Sequence, residues 1–320
     1  MSLTDATQPA PACATAQARD GATIYFERFA PPDRPAGSGG DSRTILLVMG
    51  LGANGRGWAP MVRRLLGAGF DLVAFDNRGC GRSTTPLRPW TTSLMAEDAV
   101  TVLAEAGVGR AHVVGASLGG MIAQELALRN PERVRTLTLG CTSGGWPRLD
   151  LVGYRGLAEL LDAGVRSRLP GAEDDAAIRH LLRAGCSPDF AESCHPGDEG
   201  FETARSMLED PMPPLGFSQQ LMAAARHSTW SRLGELEMPV LIQHGTADRI
   251  VPVAAARELA RRIPHAELKV TARAGHALGL ERPDTTVGTI VSFIEANDAG
   301  ARRGSAAAAA AERRRTARAG

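Results

Sequence analysis

The sequence predicts an α/β fold in which a doubly wound, mostly parallel sheet carries helices on both faces and a long helical insertion interrupts the pattern. Six short apolar runs lack polar alternation, which is typical of strands that are buried on both faces. Helical patterns such as residues 95–106 and 253–262 separate the runs, and this alternation predicts a parallel sheet. Between residue 141 and about residue 230 the alternation stops, because apolar residues recur there at helical spacing.

The elements follow in chain order from a polar start. Residues 1–20 and 31–43 are rich in small residues, proline and glycine, so we predict a flexible N-terminus and a loop. The predicted strands cover residues 44–49, 70–75, 112–114, 134–139, 240–243 and 268–271. Residues 299–320 place six arginines and one glutamate among alanines, and we predict a disordered tail there.

Composition argues against several function classes. The 320 residues carry a net charge of +1, but residues 299–320 alone contribute +5, so the body carries −4 and is unsuited to binding nucleic acid. The arginine-rich tail leaves binding of an anionic polymer open as an alternative to a tail without a binding role. No apolar run is long enough to span a membrane, and the N-terminus lacks the pattern of a signal peptide. Five cysteines at scattered positions favour reduced thiols in a cytoplasmic protein. No histidine–cysteine cluster has zinc spacing, so no metal is expected.

A G-x-S-x-G pentapeptide runs from Gly115 to Gly119, between a strand-like run and a helical pattern that begins at Met121. This is the strand–turn–helix context of a nucleophile elbow. Such a turn holds Ser117 in a strained backbone conformation, and side chains two residues to either side would collide, so glycine is needed there. The Leu118 N–H and the N-terminus of the helix would face an oxyanion formed on the substrate.

A serine nucleophile needs a general base and an orienting acid, and this architecture orders them serine, acid, histidine along the chain. Asp248 and His276 each come just past the carboxyl end of a predicted strand, where open α/β sheets build their sites. We therefore predict Ser117, Asp248 and His276 as the catalytic residues. His244 lies on the strand before the acid, and we expect it to be a hydrogen-bonded structural residue. The remaining histidines lack the strand-end position: His112, His180, His195, His227 and His265.

Residues 50–55 form a literal G-x-G-x-x-G after a strand, and Asp76 ends the next strand. This pattern makes an NAD(P)-dependent oxidoreductase the alternative from another enzyme class. Gly57 and Pro60 delay the start of the following helix, which opposes a dinucleotide fold. That hypothesis also leaves the serine, acid and histidine motifs unexplained, so we expect no cofactor.

Together these motifs resemble the α/β-hydrolase superfamily over residues 21–294. The matching stretches are the elbow around Ser117, the His-Gly-x-x-Asp run ending at Asp248, the Gly-His pair at His276, and the D-x-R-G-x-G-x-S loop of residues 76–83. Shorter stretches are similar to the methylesterases that tailor aromatic polyketides, to enol-lactonases and to small carboxylesterases. These likenesses identify the superfamily better than they identify a substrate.

The resemblance also implies an oxyanion hole and a departure from it. Many members have histidine where this chain has Met49, ahead of Gly50. The backbone N–H of Leu51 would still supply the first oxyanion donor, with the N–H of Leu118 as the second.

The resemblance further implies a domain organisation with a hydrolase core of residues 21–143 and 231–298 and a helical cap of residues 144–230. Caps restrict solvent and shape the substrate pocket. Eight aromatic or methionine side chains could line that pocket, although each alone is more often core packing: Trp146, Phe190, Phe201, Met207, Met212, Phe217, Met222 and Trp230.

The expected function is that of a serine hydrolase that cleaves a small-molecule carboxylic ester or lactone through an acyl-enzyme, with a place in secondary metabolism. The same triad serves thioesterases, carbon–carbon bond hydrolases and perhydrolases, which stay open as alternatives. A non-catalytic, ligand-binding hydrolase fold also stays open, because fold alone does not prove turnover. We expect neither nucleic acid nor a membrane as a partner, and the sequence leaves the oligomeric state open.

Overall fold

The computed structural model describes residues 11–33, 40–145, 175–210 and 212–299, together with residues 156, 158, 159, 161 and 162. Within these residues the strands are β1 (Ala12–Gln17), β2 (Thr23–Phe29), β3 (Thr44–Val48), β4 (Asp71–Phe75), β5 (Ala111–Ala116), β6 (Val134–Gly140), β7 (Val240–Gly245) and β8 (Glu267–Thr271). They form one eight-stranded sheet in the order β1-β2-β4-β3-β5-β6-β7-β8. Only the β1–β2 and β2–β4 pairs are antiparallel, so the predicted mostly parallel sheet and its six predicted strands are confirmed.

The described helices are α1 (Ala59–Gly67), α2 (Thr92–Glu105), α3 (Leu118–Arg129), α4 (Asp175–Gly185), α5 (Pro188–Ser193), α6 (Glu199–Glu209), α7 (Pro214–Arg226), α8 (Ala254–Arg262), α9 (Leu278–Glu281) and α10 (residues 283–299). Helix α3 begins directly after Ser117, three residues earlier than the sequence predicts. Glycine lowers helix propensity, but Gly119 and Gly120 are packed too closely for side chains, and this tertiary packing overrides propensity.

The N-terminal region corrects one expectation. Residues 12–17, predicted to be flexible within residues 1–20, form β1 and pair along their whole length with β2. The side chains of β1 are small and mostly exposed, so no apolar pattern marks the strand in the sequence. It is held by ladder hydrogen bonds to a neighbour, which a local pattern does not encode. Residues 1–10 and the predicted tail from residue 300 onward lie outside the described residues.

Helices cover both faces of the sheet, as the doubly wound prediction requires. Side chains alternate across a strand, so Leu46 and Val48 of β3 pack with α2, α3 and α8, whereas Ile45 and Leu47 pack with α1 and α10. Each face is closed by a separate buried apolar cluster. The second face, between the sheet and α1 with α10, is called the α1/α10 face below.

Helices α4–α7 lie between β6 and β7. Ala223 of α7 packs with the sheet core, whereas helices α4–α6 have their own apolar cluster. Ile178 and Leu182 of α4 pack there with Phe201 and Leu208 of α6. These four helices fall within the predicted insertion of residues 144–230, of which residues 146–155, 157, 160, 163–174 and 211 lie outside the described part of the chain. Ion pairs from Arg56 to Glu209 and Asp210 also join this insertion to the core, and such partly exposed pairs stabilise only weakly. Across the described residues, no helix has the length and apolarity needed to cross a bilayer.

Candidate active site

The turn between β5 and α3 has the strain that the sequence predicts. Ser117 adopts φ 55° and ψ −120°, a left-handed conformation that few residues other than glycine adopt. A Cβ at position 115 would lie 2.3 Å from the Gly119 carbonyl oxygen, and one at position 119 would lie 2.0 Å from the Val48 carbonyl oxygen. Both flanking positions therefore admit only glycine.

Backbone contacts hold the serine at the edge of the sheet. The Ser117 N–H donates to the Gly140 carbonyl at 2.9 Å, and the Thr142 hydroxyl donates to the Ser117 carbonyl at 2.7 Å. The loop after β3 lies alongside, because a Cβ at Gly50 would be 3.2 Å from the Ser117 Cβ. The N–H groups of Leu51 and Leu118, the two predicted oxyanion donors, donate to no acceptor among the described residues. They are therefore free to bind an incoming oxygen.

Asp248 and His276 form a hydrogen-bonded pair. His276 Nδ1 lies 2.8 Å from Asp248 Oδ2, and the other carboxylate oxygen accepts the N–H groups of Ile250 and Val251, each at 2.9 Å. Burial favours the neutral acid, but the two nearby histidines outweigh it and hold the pKa of Asp248 far below its ordinary value. Because the ionised Asp248 accepts the proton on Nδ1, the Nε2 lone pair of His276 is left available as a base.

Ser117 and His276 border one cavity, so the structure brings the serine and the acid–histidine pair to one place. No hydrogen bond joins the Ser117 hydroxyl to His276 in the described part of the chain. Nucleophile–base contacts are frequently long in ligand-free sites and tighten when substrate binds. Asp248 is not among the described residues that line the cavity, and its side chain is buried.

His244 is hydrogen-bonded, as the sequence predicts, but one of its partners is the acid. Its Nε2 lies 2.7 Å from the Val251 carbonyl oxygen and 3.1 Å from Asp248 Oδ2. A carbonyl can only accept, so Nε2 carries a proton. The fully buried Nδ1 has no partner among the described residues. Asp248 thus accepts hydrogen bonds from two histidines. The sequence predicts a structural role for His244 but no contact with the acid.

Cys141, His244 and Asp248 have ligand-type atoms within 4.8 Å of one another. Their chemistry fits a proton-bearing cluster better than a metal centre. His244 Nε2 is already committed to the Val251 carbonyl and Asp248. Burial, and then the charge of Asp248, raise the pKa of the Cys141 thiol well above its ordinary value, so the thiolate that a metal requires is disfavoured.

The glycine-rich loop of residues 50–55 is built into the site. Asp76 accepts the Gly55 N–H at 2.8 Å and the Arg82 N–H at 3.0 Å. The Asp76 carboxylate therefore joins the loop of residues 50–55 to that of residues 76–83, and it is not free to bind a ribose hydroxyl. Gly55 begins a short 3₁₀ helix, Gly55–Trp58, so it does not open the long helix that a dinucleotide fingerprint requires. Both observations oppose the oxidoreductase alternative.

The cavity beside Ser117 has a volume of about 220 Å³, far more than the roughly 10–15 Å³ that one water needs. Three of the eight side chains considered from the sequence border it: Met207, Met212 and Phe217. Phe190 and Phe201 pack within the insertion, Trp230 packs in the sheet core and Met222 is exposed. Trp146 lies outside the described residues.

Two buried polar residues that sequence reasoning missed hold the loops beside Ser117. Gln220 of α7 accepts the Gly52 N–H at 3.2 Å and donates to the Arg78 carbonyl at 3.0 Å. Glu281 of α9 accepts the Gly275 N–H at 2.8 Å and also both the N–H and the hydroxyl of Ser187. Neither residue belongs to a sequence motif. For Gln220, the one signal in the sequence that could have indicated a special role is its position as a polar residue on an otherwise apolar helix face.

The comparisons with known proteins agree with this geometry. The model of the alpha/beta hydrolase fold family matches residues 43–283. A relative from a Caulobacter species, named as a carbamate hydrolase, is 30% identical over 268 residues, covering 82% of this chain and 94% of the relative. A Mycobacterium tuberculosis relative named as a non-heme bromoperoxidase is 30% identical over 258 residues, covering 80% and 95%. The enol-lactonase of Burkholderia xenovorans has a TM-score of 0.72 at 22% identity, covering 88% of this chain and 100% of that one, and shows the shared fold.

Proposed function

We propose a serine-hydrolase function for this chain, which belongs to the α/β-hydrolase family. The proposed substrate is a carboxylic ester or lactone. The observation that carries the proposal is the convergence on one cavity of a strained serine and a histidine whose Nδ1 is bound to a buried carboxylate. The free Leu51 and Leu118 N–H groups beside that serine support an acyl-transfer reaction over other chemistry.

In the proposed reaction the Ser117 hydroxyl oxygen bonds to the substrate carbonyl carbon while His276 Nε2 takes the hydroxyl proton. The carbonyl oxygen becomes an oxyanion that accepts the N–H groups of Leu51 and Leu118. Asp248 stays ionised and stabilises the imidazolium. The carbon–oxygen bond to the alcohol then breaks, and the alcohol leaves with the proton from His276. Water repeats the sequence on the acyl-enzyme and releases the acid.

Helices α4–α7 are proposed as the cap over this site. Leu181 and Leu182 of α4 and Met207 and Leu208 of α6 border the same cavity as Ser117, which supports that role. A helical layer in this position excludes water from the acyl-enzyme and sets the shape of the pocket. The cap thereby becomes the part of the chain that selects the substrate.

Labelling with a fluorophosphonate probe tests the proposal, because the probe phosphonylates an activated serine and no ordinary one. We expect one covalent label, located at Ser117 by peptide mass spectrometry. Ser117→Ala should abolish the label, whereas Ser218→Ala, which removes an exposed hydroxyl on α7, should leave it intact. Absence of labelling in the folded wild-type protein, or labelling at another serine, would contradict the assignment and favour a non-catalytic binding function.

A further inference from the structure

We propose that the substrate group bound in the cavity is uncharged and mainly apolar, carries a hydrogen-bonding oxygen at its inner end, and enters the core along the α1/α10 face of the sheet. This proposal rests on the serine-hydrolase function and narrows its substrate class. Three features of the cavity carry the inference: its depth, the lack of charge in its described lining, and a buried hydroxyl without a partner.

The cavity extends well beyond the catalytic groups. Val114 of β5 borders it three residues before Ser117, which corresponds to roughly 10 Å along a strand. Thr138 of β6 stands opposite Val114 in the parallel register and borders the cavity too. Ile290 of α10 closes the opposite side. These residues lie on the α1/α10 face, so a bound group inserts between the sheet and these helices rather than lying on the surface.

The described lining contains no aspartate, glutamate, lysine or arginine. Its titratable members are His276 and two buried thiols, Cys141 and Cys186, whose pKa values burial raises well above the ordinary value. A carboxylate or ammonium on the inserted group would lose its hydration and gain no opposite charge, which is strongly unfavourable. The cavity therefore selects against charged groups.

Methionines supply much of the apolar wall and come from separate parts of the chain. Met49 follows β3, Met61 lies on α1, and Met207 and Met212 belong to the insertion. Methionine is unbranched and polarizable, so it adapts to irregular apolar shapes. The lining therefore fits flexible or irregular apolar groups.

The inner end of the cavity contains a hydroxyl that lacks a partner. Thr138 Oγ1 is buried and has no hydrogen bond to the described residues. Two other polar residues of the lining donate to backbone carbonyls instead, because Gln243 donates to the Thr286 carbonyl and the Thr286 hydroxyl donates to the Arg282 carbonyl. Trp58, which also borders the cavity, has an equally unpartnered indole N–H. Buried donors of this kind are costly unless they are satisfied, so a carbonyl or ether oxygen on the substrate fits them.

Three p-nitrophenyl esters of matched chain length test the inference: the hexanoate, the 5-oxohexanoate and the glutarate half-ester. We expect the glutarate to have a kcat/KM about 10³-fold below that of the oxohexanoate, because only its charge differs at nearly equal shape. The kcat/KM for the hexanoate should be about tenfold below that for the oxohexanoate, because the hexanoate has no oxygen at its inner end. Equal rates for the charged and neutral esters would overturn the proposal while leaving the hydrolase function intact.

Thr138→Val tests the inner hydroxyl at constant volume. We expect it to lower kcat/KM for the oxohexanoate about tenfold more than kcat/KM for the hexanoate, which removes the preference between the two esters. Thr289→Val, which removes a hydroxyl from the outer side of α10, is the matched control and should alter neither rate. An equal change for both esters in Thr138→Val would mean that this hydroxyl binds water rather than substrate, and would overturn that part of the proposal.

Calorimetry separates this proposal from the hydrolase function. Wild-type protein is titrated with 2-octanone and with octanoate, neither of which can be hydrolysed. We expect the ketone to bind at least tenfold more tightly than the carboxylate, whether or not any ester is cleaved. Tighter binding of octanoate would refute the inferred polarity of the cavity even if the serine is labelled by the probe.

Discussion

Replacing His244 by phenylalanine tests whether the second histidine on Asp248 tunes the proposed catalytic pair. The substitution removes the Nε2–H that reaches both the Val251 carbonyl at 2.7 Å and Asp248 Oδ2 at 3.1 Å. A hydrogen bond to a charged group contributes about 1.5–3 kcal/mol, and the lower end applies here because the proton is shared. An effect of about 1.4 kcal/mol corresponds to a shift of about one pH unit.

The direction of that shift follows from the electrostatics. The hydrogen bond from His244 partly neutralises the negative charge of Asp248. Without that bond, Asp248 attracts the His276 imidazolium more strongly. The acidic limb of the kcat/KM profile, which reports protonation of the free enzyme's base, should therefore move to higher pH by up to about one unit. Loss of the partner of the Val251 carbonyl should separately lower the free energy of unfolding by about 1–3 kcal/mol.

The assay is the pH dependence of kcat/KM for a neutral p-nitrophenyl ester, measured beside urea unfolding of each variant. His265→Phe is the control, because it removes a histidine bond to the Met238 carbonyl, away from the site. We expect that control to alter stability slightly and to leave the profile in place. If the His244→Phe profile superimposed on that of the wild type while its stability fell, His244 would have a purely structural role and the reasoning would be refuted.

Three further predictions use other contacts. Asp248→Asn should reduce kcat by about 10⁴-fold, because an amide favours the wrong histidine tautomer; steady-state kinetics with an unchanged circular-dichroism spectrum would check this. Glu281→Gln should lower the free energy of unfolding by about 2 kcal/mol, measured in urea, since an amide cannot accept all three of its donors. Burial lowers the pKa values of His112 and His227 to about 4, so the unfolded chain takes up protons below pH 6.5 that the folded chain refuses. Stability should then fall by about 2 kcal/mol per histidine between pH 7 and pH 5, and His227→Gln should reduce that slope.

The sheet and the proposed triad could be predicted because their signals are local. Continuous apolar runs mark strands buried on both faces, and the elbow around Ser117 needs its glycines within two residues. Parallel strands bring their carboxyl ends to one edge, so Asp248 and His276 could be placed beside the serine from their positions in the chain alone. Strand β1 could not be predicted, because its small, exposed side chains show no apolar pattern and its stability comes from pairing with β2.

The lining of the cavity could not be predicted for a different reason. An insertion helix packs one apolar face against its neighbours and turns another toward the cavity, and helical spacing does not distinguish the two. Phe201 and Met207 lie on the same helix, α6, yet Phe201 packs in the insertion and Met207 borders the cavity. The contact between His244 and Asp248 could not be predicted either, because it forms only when the loop that carries Asp248 folds back against the His244 side chain.

The contacts of Gln220 and Glu281 join the insertion to both loops that flank the proposed nucleophile. Gln220 lies on α7 and holds the Gly52 N–H, one residue beyond the proposed oxyanion donor of Leu51. Glu281 bonds to Ser187 of the insertion and to the Gly275 N–H, one residue before the proposed base. Both side chains are buried, so displacing the insertion would leave their partners unsatisfied at a cost comparable to that of other buried polar groups. A shift of the insertion that broke these contacts would therefore also disturb the loops that carry the proposed oxyanion donor and the proposed base. Substitutions at the insertion–core contacts should consequently alter kcat as well as substrate preference.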